Sequence, residues 1–139
     1  TLKRWKRRLT GSRAMAEKIA IVRRFFDTHV ADDRETAEGL LAANLRFYSP
    51  YDNGINRELY FSRCWKTHKR ITKVEFAHAV QNGDNVFVIA DCHTDNGEIF
   101  RNCEMHTVHN GRITKIEVYF GWNKPHKAPE GEFVTLSEA

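Results

Sequence analysis

The chain has little with which to staple or anchor itself: three cysteines, three prolines and two methionines in 139 residues. Nowhere does an apolar run approach the ~18 residues that read as a membrane helix. The cysteines, Cys64, Cys92 and Cys103, are odd in number and lack metal-type spacing, which argues against a disulfide framework and predicts reduced thiols in a cytoplasm. There is no Gly-rich phosphate loop, no Gly-x-Ser-x-Gly elbow, no His-Glu-x-x-His and no Cys-x-x-Cys. The seven histidines form no His-x-His pair, and His78, His93 and His106 fall on different predicted strands, so neither a metal nor a cofactor is expected. The segment MAEKIAIVRR is interrupted by Glu17 and Lys18, which is unlike the apolar core of a signal peptide.

What is present is ordinary for one globular domain: 41% hydrophobic and 29% charged residues, enough chain to bury a core. The net charge of +4 is unevenly placed. Lys3, Arg4, Lys6, Arg7, Arg8 and Arg13 all precede Met15, which leaves sixteen cations against eighteen acids in the remainder. A nucleic-acid partner would therefore rest on residues 1–14 alone, a segment read as a disordered start, and no basic stripe with interleaved aromatics runs through the domain.

Apolar residues recur at Met15, Ile19, Val22, Phe26 and Val30, the period of an amphipathic helix. Asp32 or Asp33 can cap a second helix, favoured by Glu35 in its first turn and running to about Asn44. Leu45 to Ser49 reads as a strand stopped by Pro50, and YDNGIN as a loop whose Asn56 caps a third helix bearing Phe61, Cys64, Trp65 and His68.

Beyond it, four β-rich segments are joined through Asn82-Gly83, Asn96-Gly97 and Asn110-Gly111, the strongest short-range hairpin signal, and so specify a four-stranded meander. Two-residue loops would pair Asp91 with Asn102, Asn102 with Tyr119, Glu104 with Glu117 and His106 with Lys115. One face of the sheet then carries Ala77, Val88, Cys103, Ile116 and Val118, and the other Phe76, His78, Asp91, His93, Phe100, Asn102, Glu104 and Tyr119. Two committed faces need covering on both sides, so a homodimer through the apolar face is expected.

The order helix, helix, strand, helix and meander, with FYSPYDN, YFSRCW, NGDNVFV, FRNCE and NGRITKIEVYFGW, resembles the SnoaL-like, ketosteroid-isomerase-like branch of the nuclear-transport-factor-2-like (cystatin-like cone) superfamily, in its bacterial members. The resemblance spans residues 15–122 and leaves 123–139 as a tail. It implies an α+β fold, a curved antiparallel sheet wrapped around the N-terminal helices with a cone-shaped pocket on the polar face. In SnoaL-like cyclases the last strand ends in Tyr-x-Asp, whereas here the residues are Tyr119-Phe120-Gly121, so that acid is missing.

Asp91, Asn102 and Tyr119 in one row, with Glu104 as a second carboxylate, form the candidate catalytic set: a base and two donors to an oxyanion. Tyr48, Asp52, Phe61, Trp65, His78, His93 and Phe100 are candidate ligand contacts. The structural alternative for the row is a cross-strand hydrogen-bond ladder, and for Trp65 and Phe61 plain core. Two functions compete on these residues. One is a cofactor-independent isomerase, cyclase, dehydratase or hydrolase acting on a small, mostly apolar molecule; the other is a non-catalytic ligand-binding or dimerisation module.

Overall fold

A computed structural model describes residues 2–65 and 70–135, with side chains from residue 17 onward. Helix α1 (Leu2–Ala31) begins at Leu2 rather than at Met15. It lays Val22, Phe25 and Phe26 into the core, with Ile19 packed against it. Asp32 takes a left-handed φ of 53° that ends the helix. Asp33 then caps α2 (Arg34–Leu40), accepting from Thr36 N at 3.1 Å and from Thr36 Oγ1 at 2.6 Å. This helix is shorter than expected because Leu41 is already extended and opens β1 (Leu41–Ser49).

The expected YDNGIN loop contains a strand, β2 (Asp52–Ile55), folded back on β1. Gly54 has a φ of +68°, and a side chain there would also press on the Tyr48 hydroxyl at 3.2 Å, so the turn needs glycine twice over. Asn56 caps α3 (Arg57–Leu59) as expected, accepting from Leu59 N at 3.0 Å. The helix then widens into a π turn over Tyr60–Trp65 that buries Tyr60 and Phe61. His68 lies outside the described residues.

Strands β3 (Ile71–Asn82), β4 (Asn85–Thr94), β5 (Ile99–His109) and β6 (Arg112–Lys124) form the meander. The curved sheet is ordered β2-β1-β6-β5-β4-β3, and β1 runs parallel to β6. Among the described residues, three helices and one six-stranded sheet make an open α+β cone. Its core joins α1 to β1, β4 and β6 through residues such as Val22, Leu41, Leu45, Val88 and Ile116, all at most 1% exposed.

The register departs from the expected one, with a large consequence. Between β4 and β5 the loop has three residues, Asp95, Asn96 and Gly97, closed by Thr94 N→Glu98 O (2.9 Å) and Gly97 N→Thr94 O (3.1 Å). An odd loop slips the pairing by one: Asp91 faces Arg101, and Asn102 faces Ala90. The Asn110-Gly111 turn is two residues long as expected, with His109 opposite Arg112. A bulge between Thr107 and Val108 then shifts that ladder too, so Glu104 faces Val118, Met105 faces Glu117 and His106 faces Ile116.

Paired residues share a face, so the sheet mixes the two expected sets. Inward, toward the helices, point Val86, Val88, Ala90 and Cys92 of β4, Asn102, Glu104 and His106 of β5, and Ile116 and Val118 of β6. Outward point Asp91, His93, Cys103 and Tyr119. The Ala77/Val88/Cys103/Ile116/Val118 face expected to dimerise does not exist as one surface: Val88 and Ile116 are core, Val118 lines the interior, and Ala77 and Cys103 are exposed.

Candidate functional site

The inward face of the sheet, α1 and the π turn enclose a cavity of about 720 Å³, within the range of sites for drug-sized molecules. Its walls are largely aromatic and aliphatic: Phe25 and Phe26 from α1, Phe47 from β1, Phe100 from β5, Val118 from β6. Tyr51, Phe120 and Trp122 form an exposed aromatic rim, with Tyr51 and Phe120 rings 5.7 Å apart.

Among the polar groups on the lining, Glu104, Tyr60 and Asp52 each have a partner that sets their chemistry. Glu104 sits on β5 with its side chain 13% exposed, and its Oε1 lies 3.1 Å from Nε2 of His106, no part of whose side chain is exposed. His106 is packed beside the rings of Phe25 and Phe26 (centroids 6.0 and 5.6 Å away). Tyr60 forms the second group, its hydroxyl 2.9 Å from His29 Nε2. Burial holds the Tyr60 phenol well above its ordinary pKa, with the nearby Cys64 and Glu104 adding to the effect. Asp52, on β2, accepts from Ser49 Oγ at 2.7 Å and from Arg63 Nη1 at 2.9 Å.

The cavity's two thiols are poor nucleophiles. Burial, with Asp52 close by, pushes Cys64 up to about 11, and burial with Glu104 nearby pushes Cys92 up to about 12. Among the described residues no group of three His, Cys, Asp or Glu side chains is placed to hold a metal ion.

Of the residues singled out from sequence, Asn102, Glu104, Asp52 and Phe100 line the cavity. Asp91 does not. It lies on the outward face, bridged to Arg101 at both oxygens (2.7 and 2.9 Å) and to Lys124 at 2.9 Å. The Arg101 hydrogen bonds, helped by Lys124, hold its carboxyl far below the usual carboxylate range against the opposing effect of burial, the reverse of what a base near neutrality requires. Tyr119 is also outward, 57% exposed and hydrogen-bonded to Glu117 at 2.7 Å. The expected row of Asp91, Asn102 and Tyr119 is thus split by the sheet, because the three-residue loop shifted β5 against β4 and the bulge between Thr107 and Val108 shifted β6 against β5.

His93 pairs with Glu75 at 2.8 Å on the outward face, and His78 is exposed on edge strand β3. Tyr48 packs over Gly54 rather than into the cavity. Phe61 is core beneath the Arg34 guanidinium, and Trp65 borders a smaller recess with His29 and Ile71. Glu104 and Glu117 are not opposed: Glu117 bonds Lys115 and Tyr119 outside.

Sequence reasoning missed Tyr60, His29 and the service His106 gives Glu104. His29 stands three residues after Phe26 and four after Phe25, on the buried stripe of α1, which was the available signal. The π turn that aims Tyr60 inward has no comparable signature.

Asp91 is a structural residue here, and the prediction for it changes accordingly. Asp91→Asn should lower stability by about 1–3 kcal/mol at neutral pH, since hydrogen bonds to charged groups contribute at that level. A depressed carboxyl pKa stabilises fully above the unfolded value of ~3.9 and loses that contribution as pH falls below it. Urea melts should therefore show the gap between wild type and variant closing below about pH 4.

The geometry agrees with an outside comparison. A family model for the SnoaL-like domain matches residues 22–116. The chain belongs to this family. Among solved structures, the SnoaL-like domain is similar to an NTF2-like protein of unknown function from Burkholderia xenovorans LB400, with a TM-score of 0.68, 16% identity, and 84% of this chain and 91% of that one covered. It is similar also to an LEH-like epoxide hydrolase from M. tuberculosis (TM-score 0.64, 19% identity, 78% and 85% covered). A computationally designed 17-OHP binder has the same fold (TM-score 0.62, 19% identity, 73% and 90% covered). At these identities the likeness is one of fold. Among curated proteins none matches the sequence.

The missing aspartate of the last strand has a structural explanation. A Cβ at Gly121 would collide with the backbone oxygen of Arg101, because Gly121 and Trp122 bulge past Arg101 between the Phe100–Asn123 and Asn102–Phe120 pairs. At position 121 of this SnoaL-like domain the strand pairing leaves no room for a side chain, an acid included.

Proposed function

We propose that this SnoaL-like domain binds a small, mostly apolar organic molecule in its cavity and transfers a proton to or from it through Glu104, without a cofactor. The observation that carries the proposal is Glu104 itself: a carboxylate inside an aromatic cavity, anchored at one oxygen by a fully buried histidine and open at the other. Asn102 shares its strand face and can hydrogen-bond a ligand oxygen, while the low-dielectric walls strengthen every such interaction. The reaction class is isomerase, cyclase, dehydratase or hydrolase. Incubation with a panel of apolar alcohols, ketones and epoxides in deuterated water, read by mass spectrometry, should reveal deuterium incorporation or conversion of at least one member. Saturable binding with neither would sink the enzyme reading.

The second reading, a ligand-binding module, is favoured by the closed position at Gly121. The proposal retains a homodimer, now through the outward face carrying Phe87, Ile89, Cys103 and Tyr119, and a reducing cytoplasmic setting for the three free thiols. Light scattering at micromolar concentration should give twice the chain mass; a monomer removes the dimer from the account.

A further inference from the structure

Two chains of donated protons end on residues of the cavity lining, and both leave lone pairs there. The first starts at the carbonyl oxygen of Phe25, which can only accept, so His29 Nδ1, 3.1 Å away, carries a proton. In the neutral ring Nε2 is then an acceptor, and the Tyr60 hydroxyl donates to it across 2.9 Å. With its proton so placed, Tyr60 offers the cavity lone pairs only.

The second chain starts at His106, whose Nδ1 is buried with no hydrogen-bond partner. A buried N–H without an acceptor is the costlier arrangement, so the proton sits on Nε2 and is donated to Glu104 Oε1 at 3.1 Å. Glu104 Oε2 is left for a ligand. Tyr60 and Glu104 both line the same cavity. The guanidinium groups on the lining are turned to carboxylates instead, Arg63 to Asp52 and Arg101 to Asp91.

We infer that this pocket selects ligands that present a hydrogen-bond donor, a hydroxyl or amine on an apolar body, and discriminates against the matching ketone or ether. The inference rests on the reading of the Glu104 cavity as the ligand site. A ketone oxygen can accept from the Asn102 amide on the same lining, but it leaves the desolvated carboxylate and the phenol oxygen unmatched. A hydroxyl or ammonium satisfies the carboxylate.

The test uses four compounds on one skeleton: cyclododecanol, cyclododecylamine, cyclododecanone and cyclododecyl methyl ether. Their affinities are measured by calorimetry at about pH 8, where an ordinary imidazole is neutral. The alcohol or the amine should bind at least about 10-fold more tightly than the ketone and the ether, the scale of one well-made hydrogen bond to a charged group. Tighter binding of the amine identifies Glu104 as a counter-ion to a cation, and tighter binding of the alcohol identifies a neutral hydroxyl head. In Glu104→Gln, whose amide can donate, the preference for alcohol over ketone should fall toward unity.

A ketone or ether that binds wild type as tightly as the donors, or a Gln variant that keeps the full preference, overturns the inference. A domain that selects the donors but converts nothing defeats the enzyme reading and leaves the selectivity standing. Failure of all four to bind overturns both.

Discussion

Glu104→Gln should reduce turnover of any substrate found for the cavity by about 10²-fold or more while the domain stays folded. The amide is nearly isosteric, and its oxygen still accepts from His106 Nε2, so the inner end of the cavity keeps its shape. What it loses is the capacity to take a proton. The effect should fall on kcat, with a melting temperature close to that of wild type, since a neutral side chain is easier to bury than a carboxylate. Rates measured side by side with Asp91→Asn separate the two carboxylates: Asp91→Asn should lose stability and keep turnover, and Glu104→Gln the reverse. Equal losses of turnover would remove the special role of Glu104.

Gly121→Ala should destabilise the domain by about 2–3 kcal/mol, a drop of roughly 10 °C in melting temperature. One methyl group is enough because the atom it meets is the backbone oxygen of Arg101, which has no rotamer to retreat to. Relief requires β5 and β6 to part at the bulge where they carry Asn102 and Phe120 to the cavity, so ligand affinity should fall with stability. A Gly121→Ala melt within a degree or two of wild type would show that the bulge yields freely.

The fold was legible because its signals are local. The helical stripe through Val22 and Phe26, the caps at Asp33 and Asn56, and three Asn-Gly pairs each act within a few residues, and each element they mark is present. The site was less legible because it depends on parity. The sequence Thr94-Asp-Asn-Gly-Glu98 accommodates a two-residue or a three-residue loop, and the observed choice of three moves Asp91 out of the cone and sets Glu104 opposite Val88. The bulge between Thr107 and Val108 acts the same way, setting Glu104 opposite Val118, since the extra residue on β6, Thr114, has no unusual chemistry. The parallel seam of β1 on β6 joins segments some seventy residues apart, and nothing local announces it.

The account turns on which side of the sheet holds the ligand, and a crystal structure of the domain with cyclododecanol or a converted substrate measures that directly. The ligand should lie among Phe25, Phe47 and Phe100 with its polar atom about 3 Å from Glu104 Oε2 and Asp91 still bridged to Arg101. A ligand seated on the outward face against Asp91 and Tyr119, with the cavity beside Glu104 empty, would contradict it.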